Sequence, residues 1–271
     1  MRDLKIFENQ ERPKIKQISE RISQARELSW RSFGKKIQFY VPSFSYYRNP
    51  YFQSSRTLFP SISLTGSHCA LNCSHCQGSI LKTMIPAQTP KELIHVCSGI
   101  KKKGAVGCLV SGGCLPNGSV PINRFVEAIA KIKSELGLKI VVHTGLINFE
   151  TATSLKQAGI DVILIDVIGL DETIREIYHL NASTRDYEQS LEALSKSEIP
   201  FVPHVLVGLH YGKIIGELNA LRMISKFPPS ALILIAFFPV KGTLMENVKP
   251  PTPEAIIEIL AQARFMMPKV P

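Results

Sequence analysis

The segment Cys69-Ala-Leu-Asn-Cys73-Ser-His-Cys76 brings three thiols together at the spacing Cx3CxxC. In a loop that follows a strand, three thiolates so spaced can hold three irons of a [4Fe-4S] cluster and leave the fourth iron open. Electron-carrier clusters are usually closed by four cysteine thiolates, so three near neighbours without a fourth leave a coordination position for a small molecule. Such a site is built for chemistry. Zinc, or three unrelated buried thiols, would use the same residue type. Zinc ribbons take a tetrahedral set of four from two CxxC pairs, whereas this loop has one CxxC and one further cysteine.

The loop needs a scaffold, and the sequence around it supplies one. From residue 61 onward, short runs rich in β-branched residues alternate with amphipathic segments, the pattern of parallel strands buried on both faces and joined by helices. Strands are expected at Ser61–Thr65, Val106–Val110, Lys139–His143, Val162–Asp166, Phe201–Val207 and Ala231–Phe237. Helices are expected near 74–84, 89–103, 121–136, 149–158, 185–197 and 213–225. A last helix follows Pro253, with Thr252 placed to cap it and Pro253 at its first position. The order is (β/α)6. In such architectures ligands bind beyond the C-terminal ends of the strands, which makes residues just past each strand the functional candidates. His143 and His204, on strands, read first as core histidines.

Residues 1–60 fall outside the repeat and form an N-terminal leader, with a basic helix near 13–32 and an aromatic, Pro-containing stretch; residues 61–271 form the core. Phe44, Tyr46, Tyr47, Tyr51 and Phe52 in the leader are expected to pack against the core, lining a substrate mouth being the other reading.

Composition bounds the function. The chain has 271 residues, 45% hydrophobic and 20% charged, enough for one α/β domain with a full core. No apolar run approaches the roughly 18 residues that span a bilayer, and the charged N-terminus lacks a signal-peptide core, so a cytoplasmic protein is expected, with no membrane partner. In a reducing compartment the six cysteines read as metal ligands or core thiols rather than disulfides. The net charge of +10 favours encounter with an acidic partner. Nucleic acid is a poor fit, because no aromatic-basic interleaving or binding motif is present.

The cysteine loop after strand one, with His75 directly before its last cysteine, resembles the radical S-adenosylmethionine (radical SAM) superfamily, whose fold is a partial (β/α)6 TIM-like barrel. Ser111-Gly112-Gly113-Cys114, directly after strand two, resembles that family's glycine-rich motif for the methionine amino group of the cofactor. The resemblance also implies cofactor contacts at His75, at Asp166 (ribose), at Gly208 in the fifth-strand glycine motif and at Val240 in Phe238-Pro239-Val240-Lys241-Gly242-Thr243. It implies a [4Fe-4S] cluster on Cys69, Cys73 and Cys76, S-adenosylmethionine, and reductive cleavage of the latter to a radical that abstracts hydrogen from an unactivated carbon.

Within the superfamily the chain is most similar to biotin-synthase-like proteins that include the paired lipoyl synthases. That likeness implies sulfur insertion into an octanoyl chain on a carrier-protein lysine (H protein or E2 lipoyl domain), a paralogous radical SAM partner, and a low-potential electron donor such as ferredoxin. Cys97, Cys108 and Cys114 would then hold a second, auxiliary [4Fe-4S] cluster; buried thiols are the other reading. A short tail over the barrel mouth is expected of relatives beyond the last helix. Other readings of the whole are a single-cluster radical SAM enzyme of another cofactor pathway, biotin-synthase-like or tetrapyrrole, and a non-catalytic iron-sulfur scaffold.

Overall fold

The computed structural model describes residues 19–39, 48–51, 53, 55 and 57–271. Phe44, Tyr46, Tyr47 and Phe52 lie outside them, and Tyr51 is exposed. Residues 19–33 are helical (α1). The core then runs β1 (Ser61–Ser63), β2 (Ile85–Pro86), α2 (Pro90–Lys102), β3 (Gly107–Ser111), α3 (Val126–Leu136), β4 (Lys139–His143) and α4 (Phe149–Gln157). It continues through β5 (Val162–Asp166), α5 (Asp171–Glu176), α6 (Thr184–Lys196), β6 (Phe201–Val207), α7 (Glu217–Ser225), β7 (Ile233–Ala236) and α8 (Pro253–Met266).

All seven strands are parallel, in the order β2-β1-β3-β4-β5-β6-β7. Among the described residues the edge strands β2 and β7 do not pair with each other, so the barrel is partial, with one side open. The fold is the TIM-like α/β architecture expected from the strand and helix alternation, with one addition. β2, two residues long, extends the sheet beyond β1.

Three local expectations are corrected. The helix near 74–84 is a series of turns ending in a 3-10 helix at Ser79–Thr83, because Asn72, Gln77 and Gly78 all take positive φ and break helical geometry. The helix expected from residue 213 begins only at Glu217, with Gly216 at its N-cap packed so closely on Leu170 that a Cβ there would lie 2.9 Å from the Leu170 Cβ. The six-residue α5 between β5 and α6 was not anticipated. Both α2 and α8 start as the sequence indicates. Thr89 and Glu92 form a capping box, and the Thr252 side chain accepts from the Ala255 N–H.

Side-chain alternation sorts each strand. Cys108, Val110, Ile140, Val142, Ile163 and Ile165 are fully buried under the helices. The opposite face lines the barrel interior. Along each strand this face is first apolar (Leu109, Val141, Leu164, Val202), and two positions further on it turns polar: Ser111, His143, Asp166 and His204. Outside the barrel, α1 lies near α8, with the Arg264 guanidinium 4.7 Å from the Phe33 ring centroid. Among the described residues no helix is long and apolar enough to cross a membrane.

Candidate functional site

The cysteine loop leaves β1 through Thr65, whose hydroxyl donates to the His68 carbonyl (2.7 Å) and accepts from the Gly113 N–H (2.7 Å). One side chain thus ties the loop to the glycine-rich turn after β3. A second tie is the Ala70 N–H, which donates to the Cys114 carbonyl at 2.9 Å. The two segments touch so closely that a Cβ on Gly113 would lie 2.0 Å from the His68 oxygen and 2.6 Å from the Cys69 Cα. Only glycine fits there.

The other flank of the loop is held by the end of α5 and the residues after it. The Ser74 N–H donates to the Ile177 carbonyl (2.8 Å), and the Ser74 hydroxyl lies 3.1 Å from His179 Nε2. His179 Nδ1 is 3.0 Å from the Leu71 carbonyl, so one imidazole bridges two points of the loop. His179 carries no motif and Ser74 is one of the x positions of Cx3CxxC, and sequence reasoning missed the role of both.

The thiols do not share one electrostatic environment. Cys69 is held down at about 5, chiefly by a hydrogen bond from the Cys114 thiol, with help from backbone donors. Cys73 is pushed up to about 12, first by burial and then by the neighbouring Cys69 and Cys76. Burial and its neighbours thus favour the neutral thiol at Cys73, and a cationic group among the cysteines would favour its thiolate. The donor set fits an iron-sulfur cluster, which supplies that charge and takes thiolate ligands. His75 lies against Tyr178 with ring centroids 5.3 Å apart, and its Nδ1 is buried without a hydrogen-bond partner. Burial lowers its pKa and favours the neutral ring.

The remaining candidates are distributed as follows. Ser111 donates its hydroxyl to the His143 carbonyl at 3.1 Å, joining the glycine-rich turn to β4. Asp166 Oδ1 faces His143 Nε2 at 3.3 Å and His204 Nδ1 at 3.4 Å, an engagement the sequence did not disclose. Burial acts to raise the Asp166 carboxyl, but the two imidazoles outweigh it and hold it well below the usual carboxylate range. Gly208 takes φ 79° at the end of β6, and its N–H donates to buried Glu217 at 2.7 Å. The Val240 carbonyl accepts from the Thr243 hydroxyl at 2.7 Å, closing the turn after β7.

Cys97, Cys108 and Cys114 do not come together. Cys108 faces the helix layer and hydrogen-bonds Cys97 of α2, both fully buried, whereas Cys114 joins Cys69 at the loop. The auxiliary set is corrected on this point: Cys108 and Ser111 are an odd number of positions apart on one strand, so their side chains leave opposite faces of the sheet.

A parallel partial barrel carrying a three-thiol loop after its first strand and a glycine turn after the next long one defines a class. Residues 63–213, more than half of the chain, match the radical SAM superfamily, and the chain belongs to it. A [4Fe-4S] cluster and S-adenosylmethionine are the cofactors of that family.

Among named relatives, the chain is 27% identical over 244 residues to a biotin synthase of Leptospira interrogans, covering 82% of this chain and 64% of that protein. It is 26% identical over 221 residues to a biotin synthase of Neorickettsia sennetsu, covering 77% and 65%. The chain thus spans less than two thirds of the length of these relatives. Its fold is similar to that of methylornithine synthase (PylB), with a TM-score of 0.63 at 20% identity over 93% of this chain and 69% of that one. It is also similar to the hydrogenase maturase HydG from Carboxydothermus hydrogenoformans, with a TM-score of 0.64 at 18% identity over 93% and 57%.

Proposed function

We propose that this chain is a radical SAM enzyme that cleaves S-adenosylmethionine reductively and directs the resulting radical at an unactivated C–H bond of a substrate held in the barrel. The observation that carries the reading is the joint built by Thr65 and Gly113, which locks the three-thiol loop against the glycine turn. Cys69, Cys73 and Cys76 would hold the cluster, which when bound supplies the single electron for cleavage. The turn Ser111-Gly112-Gly113 presents backbone to the cofactor's methionine end, and the hydroxyl of Ser111 is anchored on β4. His75, kept neutral by burial, offers an uncharged ring face and an unpartnered nitrogen. The apolar lower level of the barrel excludes water from the reacting carbon.

Within that class, the finer reading is sulfur insertion into a protein-bound octanoyl chain, as one component of a two-protein lipoyl synthase. It is supported by the likeness to biotin synthases, by the apolar barrel floor and by a +10 charge suited to an acidic carrier protein such as an H protein or lipoyl domain. A paralogous radical SAM partner and a ferredoxin-like donor belong to the same proposal. A second reading, a one-cluster radical enzyme of another cofactor pathway, is favoured by the sealed Cys97–Cys108 pair, which leaves Cys114 as the one spare thiol at the loop.

The test is to incubate anaerobically reconstituted, reduced protein with S-adenosylmethionine, inorganic sulfide as the sulfur source and an octanoyl-lysine peptide, with and without the paralogous partner, and to weigh the peptide. A gain of sulfur is expected. Hydrogen loss or 5′-deoxyadenosine formation without any sulfur gain would reject the lipoyl reading and keep the class.

A further inference from the structure

The upper level of the barrel interior holds a second constellation that the cysteine loop does not use. His143 and Asp166 end strands β4 and β5, and His204 is at the middle of the adjacent β6, in a register that pairs His143 with Leu164 and Asp166 with His204. Period-two alternation then turns all three side chains to the same interior face. Their ligand atoms lie within 4.8 Å of one another, and among the described residues this is the only trio of His, Cys, Asp or Glu so arranged.

The distances say what the trio is sized for. A charge-assisted N–H···O contact to a carboxylate is usually about 2.7–2.9 Å. Here both imidazole nitrogens stand farther off the same Oδ1, at 3.3 and 3.4 Å. Ligands bound at about 2.0–2.1 Å to a tetrahedral ion are separated by an edge of about 3.4 Å. The spacing is therefore loose for a hydrogen bond and right for two edges of a coordination shell. His204 is 8% exposed, which fixes its ring by packing and keeps Nδ1 turned to Asp166 at 3.4 Å.

We propose that His143 Nε2, Asp166 Oδ1 and His204 Nδ1 bind one divalent first-row transition-metal ion, of the class of Zn2+ or Fe2+, with the remaining coordination position open to the barrel interior. Two imidazoles and one carboxylate are a donor set that suits such ions, and three protein ligands with one open position is the arrangement of a site that receives a substrate atom. The open position takes an oxygen or sulfur donor and holds it between the apolar floor and the cysteine loop. A metal ion on Asp166 Oδ1 takes the place of the ribose contact that the resemblance implies for this residue; metal binding stands without the radical reading, and only the use of the open position rests on it.

The experiment uses the full chain with Cys69→Ala, Cys73→Ala and Cys76→Ala, which removes the cluster, and titrates it with Co2+ under anaerobic conditions. One Co2+ per chain is expected, with visible d–d bands and no intense thiolate-to-metal charge-transfer band. In the same background, His143→Gln, Asp166→Asn and His204→Gln should each weaken binding by at least about tenfold. Absence of binding, unchanged affinity in the variants, or a thiolate charge-transfer band would overturn the assignment. If a variant fails to fold by circular dichroism, electron-spin-echo modulation of the Cu2+-loaded parent decides: two coordinated imidazoles are expected, and fewer than two would overturn it.

Discussion

Cys69 and Cys73 lie four positions apart on one loop and are driven in opposite directions, Cys69 down to about 5 by the Cys114 thiol and Cys73 up to about 12 by burial. In cluster-free protein at pH 7, iodoacetamide should therefore alkylate Cys69 well before Cys73, as read by peptide mass mapping; equal rates would contradict the geometry. The signs for stability differ accordingly. Cys69, depressed in the folded state, contributes stability that is present above its unfolded value of 9.0 and is lost as pH falls through about 5. Cys73, raised, contributes stability that is present below 9.0 and is lost as pH rises toward about 12. The loop itself was legible in the sequence because its ligands are local. Asp166, His143 and His204 were legible only as separate residues, since the register that gathers them joins positions dozens of residues apart.

At the scale of elements, the joint between the cysteine loop and the glycine turn is the most demanding contact. Gly113→Ala forces a backbone shift, because its Cβ would meet the His68 oxygen at 2.0 Å. It should cost about 1–3 kcal/mol and lower the iron bound after reconstitution; wild-type iron content at wild-type Tm would contradict the joint. The Cys97–Cys108 pair bridges α2 and β3 inside the core. Replacing both with Ala should cost about 1 kcal/mol per site while leaving iron content unchanged, and a loss of iron would restore them as ligands. Glu217, buried at the start of α7, accepts from the N–H groups of Gly208 (2.7 Å) and Gly216 (3.0 Å). Glu217→Ala should destabilise by about 3 kcal/mol in denaturant unfolding, and Glu217→Gln, which keeps one acceptor oxygen, by about half of that. Strands β4, β5 and β6 stand where hydrophobic periodicity puts them, because parallel strands buried on both faces read as continuous apolar runs. β2 and α5 escaped notice because two and six residues carry too little periodicity to register.

For the molecule as a whole, the barrel is open between β2 and β7 among the described residues. β7 is an edge there, with Ile233 and Ile235 exposed at 42% and 39%, an apolar rim beside the polar upper level. An opening of this kind would give a substrate its way into an interior that a closed eight-stranded barrel fills with its own side chains. The family and its cofactors follow from the loop, the turn and the barrel together, whereas the substrate depends on groups met only inside the barrel. The central claim is that residues 69–76 hold a cluster that cleaves S-adenosylmethionine. Its most direct test is 5′-deoxyadenosine formation by the anaerobically reconstituted, dithionite-reduced full chain, measured alongside iron content. About four irons per chain and steady 5′-deoxyadenosine production are expected, both lost in Cys76→Ala; an intact cluster with no 5′-deoxyadenosine would contradict the account.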